Sequence, residues 1–247
     1  LEQRLHSRPD MMDTDDDGLT DDVEQANRTS PADATDPQIG RAMEFGGETN
    51  DFLEIPTLFS QRLTDWSLEA WVYPTSVVDG VGTIIRRAVQ KIGPAAFAVN
   101  YEIGLEDDGA GGLRLYAGYV TPNGSNYVIR TLTNSIATGT WTHVAATYNW
   151  NDSTLILYTN GVGAHREDPA SATNPPVPAM VTNFFIPPPL NGKGGECFVR
   201  IGEDFGGRID EVRIWNDTRG PDEILQNLYT YFNADVQGLI HNFNFDD

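Results

Sequence analysis

The stretch DTDDDGLTDDVE, Asp13 to Glu24, packs seven acids and no base into twelve residues. Its carboxylates are not scattered. Asp13, Asp15 and Asp17 alternate, Gly18 follows, then Asp21 and Glu24. This is the one, three, five, glycine-at-six, nine and twelve spacing of a calcium loop. Alternate acids wrap a hard cation in oxygen, and the glycine takes the sharp bend. The carbonyl of Leu19 supplies the seventh-position ligand, and Glu24 closes the shell with both oxygens. Without a cation these charges repel one another; calcium turns that repulsion into folding energy. A solvated acidic linker is the competing reading, but a random acidic run seldom places glycine at the bend and glutamate at the close.

The surroundings of the stretch agree with an extracellular calcium site. The chain has 247 residues and a formal net charge of −20, and its ten acids between Asp10 and Asp36 face one base, Arg28. Such a balance repels nucleic acid and anionic membrane surfaces. No apolar run approaches membrane-spanning length, so no membrane insertion is expected. The single cysteine, Cys197, excludes an internal disulfide. The segment continues QANRTSPADATDP and here resembles a thrombospondin type 3 repeat, whose tail Thr29, Pro31, Asp33 and Asp36 match. The resemblance implies that Asp33 and Asp36 either complete this site or start a neighbouring one. Millimolar calcium outside a cell fills such a site where cytosolic calcium does not. The expected location is extracellular or the cell surface, and the chain, which begins without Met, reads as a piece of something longer.

From Arg41 onward the pattern is β. Short apolar runs of period two recur between turn residues: RAMEF, DFLEI, WSLEAWVY, GTIIRR, AVNYEIGL, LRLYAGYV, NYVIRTL, WTHVAATYN, STLILYTNG, FVRIG and RIDEVRIW. In WSLEAWVY, Trp66, Leu68, Ala70 and Val72 fall on one face, and Ser67, Glu69, Trp71 and Tyr73 on the other. Stretches such as EDDGAGG, PNGSN and NWNDS supply the turns. Many short antiparallel strands predict an all-β, two-sheet antiparallel jelly-roll sandwich. GPDEILQNLY reads as one short helix, with Pro221 early and an apolar stripe of Ile224, Leu225 and Leu228. The proline-rich run NPPVPAMVTNFFIPPPLNGKGG reads as a long surface loop.

Four phrases in order carry a second resemblance. AMEFGGETNDFLEIP, WSLEAWVYPT, GTWTHVAATYN with TLILYTNGVGA, and VRIGEDFGGRIDEVRIWNDTRGPDEILQNLY resemble the laminin G-like, concanavalin A-like jelly-roll domains. The resemblance implies three parts: residues 1–38 as the acidic calcium repeat and linker, 39–231 as the jelly roll, and 232–247 as a strand leading into a next module. It implies a second, structural calcium held by Gly46, Asp51 and Asp210. The residues support part of this. Asp210 lies between Ile209 and Val212, where an unpaired carboxylate costs several kcal/mol and must find a cation, donors or an arginine such as Arg200, Arg208 or Arg213.

The same fold carries glucan hydrolases, which place carboxylates in an E-x-D-x-x-E phrase on one strand. That phrase is missing here. YEIGLEDDG comes nearest, with Glu102 and Glu106 on one face and Gly104 between them. His6, His143, His165 and His241 show no metal-ligand spacing, and no nucleophile triad, P-loop or dinucleotide fingerprint stands out. No catalytic residue is assigned. Sugar-binding surfaces stack aromatics on rings and catch hydroxyls with amides or carboxylates, so Tyr101, Tyr116, Tyr119, Tyr127 and Trp150 are the ligand candidates. Trp71, Trp141 and Trp215 fall in phrases the family keeps for its core. The expectation is a non-catalytic calcium-binding module for adhesion or architecture. Its expected partners are an extracellular glycan, a cell-surface protein or a second copy of itself. A laminarinase-like hydrolase and a purely structural self-associating subunit are the alternatives.

Overall fold

The computed structural model describes Met11, Met12, Thr14, Asp21, Glu24, residues 30–32, and residues 42–245 apart from 41 flanking positions at 49, 57, 94–95, 152–153, 165–178, 181–197, 231 and 233–235. Two antiparallel sheets face each other. Sheet A takes β1 (Met43–Gly46), β3 (Trp66–Val77), β8 (Thr142–Asn149), β9 (Thr154–Thr159), β10 (Val162–Gly163), β11 (Ala179–Met180), β13 (Phe205–Trp215) and β14 (Leu239–Phe243). Its main path runs β1-β13-β3-β8-β9-β10, with β11 on β9 and β14 on β13. Sheet B runs β2 (Leu53–Ile55), β12 (Phe198–Ile201), β4 (Val81–Gly93), β5 (Ala96–Asp107), β6 (Leu113–Val120) and β7 (Asn126–Arg130). One short helix, α1 (Pro221–Gln226), follows β13. The architecture is the expected jelly-roll sandwich.

Period-two alternation builds the core. Trp66, Leu68, Ala70 and Val72 of β3 point between the sheets, meeting Ile103, Leu105, Leu115 and Val199 from sheet B. Antiparallel sheets of this kind usually leave their outer faces to water. Here β3 is buried on both sides through Val72, because its other face carries a cover. The residues from Asn216 to Thr230, including α1, cross the outside of sheet A as a strap. Ile224 packs on Ala145 and Tyr158, while Leu228 packs on Trp71 and Trp141. Trp71, Trp141 and Trp215 are all buried, as the core phrases imply.

Two local details emerge. The C-terminal strand β14 belongs to sheet A. It pairs with Val212–Trp215 of β13, and Ile240, Phe243 and Phe245 pack against the main core. Pairing with β13 satisfies backbone groups beyond the end of β1, and three apolar side chains gain cover. The proline-rich run is not all loop, since Ala179 and Met180 pair with Leu155 and Thr154 at the sheet edge; its other residues lie outside those described, as does Cys197.

Candidate functional site

The outer face of sheet A carries chemistry-bearing residues but no access. Glu69 accepts a hydrogen bond from the Trp215 indole at 2.6 Å, and its other oxygen lies 3.4 Å from His143 Nε2. Burial alone would push the Glu69 carboxyl up; His143, Arg213 and Trp215 outweigh it and hold the group below its ordinary range. Burial pushes the His143 imidazole down despite the carboxylate beside it. Arg213 donates to Glu211 and to the carbonyls of Asn227 and Thr230, each at 2.7 Å, and the Trp71 indole donates to Leu228 O at 3.2 Å. These bonds clamp the strap to the sheet. His143 is a structural histidine.

The outer face of sheet B is different. Alternation turns Leu53, Val199, Ile103, Leu105, Leu115 and Ala117 inward, which sends their neighbours outward. The register then aligns Glu54, Arg200, Arg86, Glu102 and Gly118 across five strands in one row. A second row aligns Thr83, Gly104, Tyr116 and Arg130. Six strands at about 4.8 Å spacing make the face roughly 24 Å wide.

Hydrogen bonds knit these rows into one band. Arg200 donates from Nε to Glu54 at 3.0 Å and from Nη1 to Glu203, and its guanidinium lies 3.9 Å from the ring centres of both Phe52 and Phe198. Arg86 bonds the other oxygen of Glu203. The Tyr116 hydroxyl donates to Glu102 Oε1 at 2.6 Å. Glu106 Oε1 accepts from Nε of both Arg114 and Arg130, at 2.6 Å each. Gly104 makes room for this: a Cβ there would lie 2.6 Å from the Tyr116 hydroxyl and from the Gly82 carbonyl. The tyrosine ring therefore lies across β5 only because position 104 has no side chain.

Burial pushes the Glu102 carboxyl above the usual carboxylate range; Arg86 and the Tyr116 hydroxyl offset part of this, and Glu203 adds to it. Burial and the neighbouring Glu102 push the Tyr116 hydroxyl well above its ordinary value, so it stays a donor at physiological pH. Guanidinium, carboxylate and phenol thus stand side by side over a floor of backbone. Such a set can donate to and accept from adjacent hydroxyl groups.

The five aromatic candidates separate. Tyr101 and Tyr119 are buried in the core, and Tyr127 stacks on Tyr119 with ring centres 5.1 Å apart. Tyr101 and Tyr119 leave no ring face exposed for a sugar, and Tyr127, half-buried, lies with its ring against Tyr119. Tyr116 alone of the five lies on the band, as a hydrogen-bonding group that is itself 6% exposed. Trp150 is exposed, but it stands in the β8–β9 turn of sheet A, with its backbone N–H donating to Asp65 Oδ1 at 2.8 Å. The band's arginines and Glu54 and Glu203 escaped the sequence reading. Their outward parity was visible in DFLEI, TIIRR and VRIG, but not which strands lie side by side.

The metal candidates divide as well. Asp13, Asp15, Asp17, Leu19, Asp33 and Asp36 lie outside the described residues. Asp21 and Glu24 are described. Asp21 accepts from the Thr14 N–H at 2.7 Å and the Thr14 hydroxyl at 2.8 Å, and its own N–H donates to Met12 O at 2.8 Å. These bonds tie Met12, Thr14 and Asp21 together. Glu24 is fully buried. The second set is not brought together. Gly46 pairs with Gly206 and Met43 with Ile209, so Asp210 lies four residues farther along β13, about 13 Å away by strand rise. Asp51 accepts from the Gly46 N–H and fixes the turn after β1, while Asp210 Oδ1 accepts from the Glu211 N–H at 2.8 Å. Among the described residues no group of three or more His, Cys, Asp or Glu side chains converges as a metal site. Among the described residues no helix is long and apolar enough to cross a membrane.

Among the described residues, one outer face of the two-sheet jelly roll is covered by the strap and the other carries the polar band. The comparisons with known proteins agree. A family model described as the concanavalin A-like lectin/glucanases superfamily matches residues 45–225, and the chain belongs to that family. No curated protein sequence matches it. Among solved structures, it is similar to the CBM40 of the Ruminococcus gnavus IT-sialidase, at 13% identity and TM-score 0.55, covering 77% of this chain and 97% of that one. It is similar to a heptameric SAP-like pentraxin from Limulus polyphemus, at 16% identity and TM-score 0.51, covering 81% and 88%. A putative carbohydrate binding protein from Bacteroides ovatus matches at 20% identity and TM-score 0.50, covering 83% of this chain and 52% of that one. At these identities the likeness concerns the fold.

Proposed function

We propose that this chain is a non-catalytic carbohydrate-binding module of an exported or cell-surface protein, and that it holds its ligand on the outer face of sheet B. The observation that carries this reading is the Arg–Glu–Tyr band over Gly104, on the open face of a fold shared with carbohydrate-binding modules. A hydrolytic alternative fares worse. Glu102 and Glu106 are four residues apart on one strand, about 13 Å by strand rise. Glycosidase carboxylates stand about 5–9.5 Å apart, and Glu106 is already tied to two arginines. Screening the chain on a glycan array, followed by calorimetric titration of the hits against wild type and Tyr116→Phe, tests the reading. Binding that weakens by about tenfold supports it, since the variant removes the donor that orients the Glu102 carboxylate on the band. Absence of any glycan signal counts against it.

Calcium belongs to the same proposal. Asp13, Asp15, Asp17, the Leu19 carbonyl and Glu24 are the residues that would hold it, with Asp21 at the ninth position, which often reaches the ion through water. The closure of Asp21 on Thr14 and the burial of the Glu24 carboxylate support this assignment. Calcium should raise the melting temperature of the wild type, and Asp17→Ala should reduce that rise. An equal rise in both proteins would remove the loop from the account.

A further inference from the structure

We infer that the sheet B face selects uncharged glycans and rejects acidic ones; this deepens, and rests on, the carbohydrate-binding reading above. Arginines on a sugar-binding face usually suggest anionic ligands. Here each arginine of the band is already engaged. Arg200 bonds Glu54 and Glu203, Arg86 bonds Glu203, and Arg114 and Arg130 bond Glu106. Four guanidinium groups meet four glutamates, Glu54, Glu102, Glu106 and Glu203, so the band balances.

The surroundings tip the balance toward negative. Asp79 sits in the β3–β4 turn, Asp204 in the β12–β13 turn, and Asp107 and Asp108 at the end of β5. The Val78 N–H bonds the Asp204 carbonyl, and the Asp107 N–H bonds the Gly80 carbonyl, so all these acids share one end of the face. Exposed Lys91 lies at the opposite end, near the β4–β5 hairpin. The whole chain adds a net −20.

An acidic sugar must therefore share an arginine that already serves a glutamate, and it brings a further carboxylate beside Glu54, Glu106 or Glu203 and the acids at that end of the face. A hydroxyl group brings no added charge. It donates to a carboxylate oxygen and accepts from a guanidinium N–H without changing the charge of the site. Glu102, held by Tyr116 on a half-buried floor, suits that role. The breadth of the band across six strands suits an oligosaccharide of several rings better than a single sugar.

The test starts from a glycan array carrying neutral and acidic oligosaccharides. The strongest neutral binder is then compared with its C6-oxidised uronate form and with the methyl ester of that uronate. Oxidation should weaken binding by about tenfold or more, because like charges brought together at an interface oppose association. Esterification, which removes the charge and keeps the added atoms, should restore most of the loss. Affinity for the neutral glycan should stay nearly flat as salt rises, since screening acts on exposed charges. Asp107→Asn and Glu106→Gln should each raise uronate binding relative to neutral binding, and the exposed Asp107 side chain makes the first variant safe for folding. Acidic glycans dominating the array, or an uronate that binds as well as its neutral parent, would overturn the selectivity while leaving carbohydrate binding intact. An array without hits of either kind would overturn both.

Discussion

Arg213→Met tests how the strap closes the outer face of sheet A. The arginine side chain is 2% exposed and ends on three acceptors: Glu211 Oε2 and the carbonyls of Asn227 and Thr230. Its guanidinium also sits 4.8 Å from the Phe232 ring centre. Methionine keeps the length and apolar stem but removes every donor. Glu211, itself 7% exposed, is left as a buried charge. Removing one partner of a buried pair costs about 3–5 kcal/mol. For a domain of this size each kcal/mol moves the melting temperature by about 2–4 °C, so a fall of roughly 6–20 °C is expected. Thermal melting and a urea midpoint would measure it. The double variant Arg213→Met with Glu211→Gln should recover part of the loss, because it removes the stranded charge as well. A single variant that melts within about 2 °C of wild type, under that same scale, would mean the strap is not held by this residue.

Two further expectations concern the band and a turn. Glu102 is held above the usual carboxylate range, so the folded state keeps its proton where the unfolded state has lost it. Its contribution therefore falls as pH rises from the unfolded value through the folded one, and the full penalty applies above that window. Glu102→Gln should gain melting temperature relative to wild type as pH rises from 4 toward 8, on the order of a few degrees; a difference that stays flat or shrinks would contradict the assignment. Gly202 has φ +81°, and a Cβ there would run into the Phe45 ring. Gly202→Ala should lose about 2 kcal/mol or more in a urea titration, from backbone strain and overpacking together; a neutral effect would show that the turn relaxes freely.

The strands were legible because their signal is local. Alternation in WSLEAWVY assigned Trp66, Leu68, Ala70 and Val72 to one face, and the structure puts all four in the core. The helix at Pro221 was legible for the same reason. Parity carried less for the aromatics. Tyr116 and Tyr119 are three apart, an odd spacing that must send them to opposite faces of a strand, and the core took Tyr119. Where Gly46 and Asp210 lie relative to each other was not legible, because it depends on the β1–β13 register, which sets Gly46 against Gly206.

By itself the sequence determined the charge, the alternation, the turns and the carboxylate spacing of the front loop, because each depends on residues a few positions apart. The tertiary structure decided which face the strap covers. The strap covers Glu69, Trp71 and Arg213, and strands distant in the chain, β2, β12 and β4, come side by side to align Glu54, Arg200 and Arg86. Those neighbours are chosen by burial of the inward side chains across the whole sandwich, and the outward residues are carried along with them.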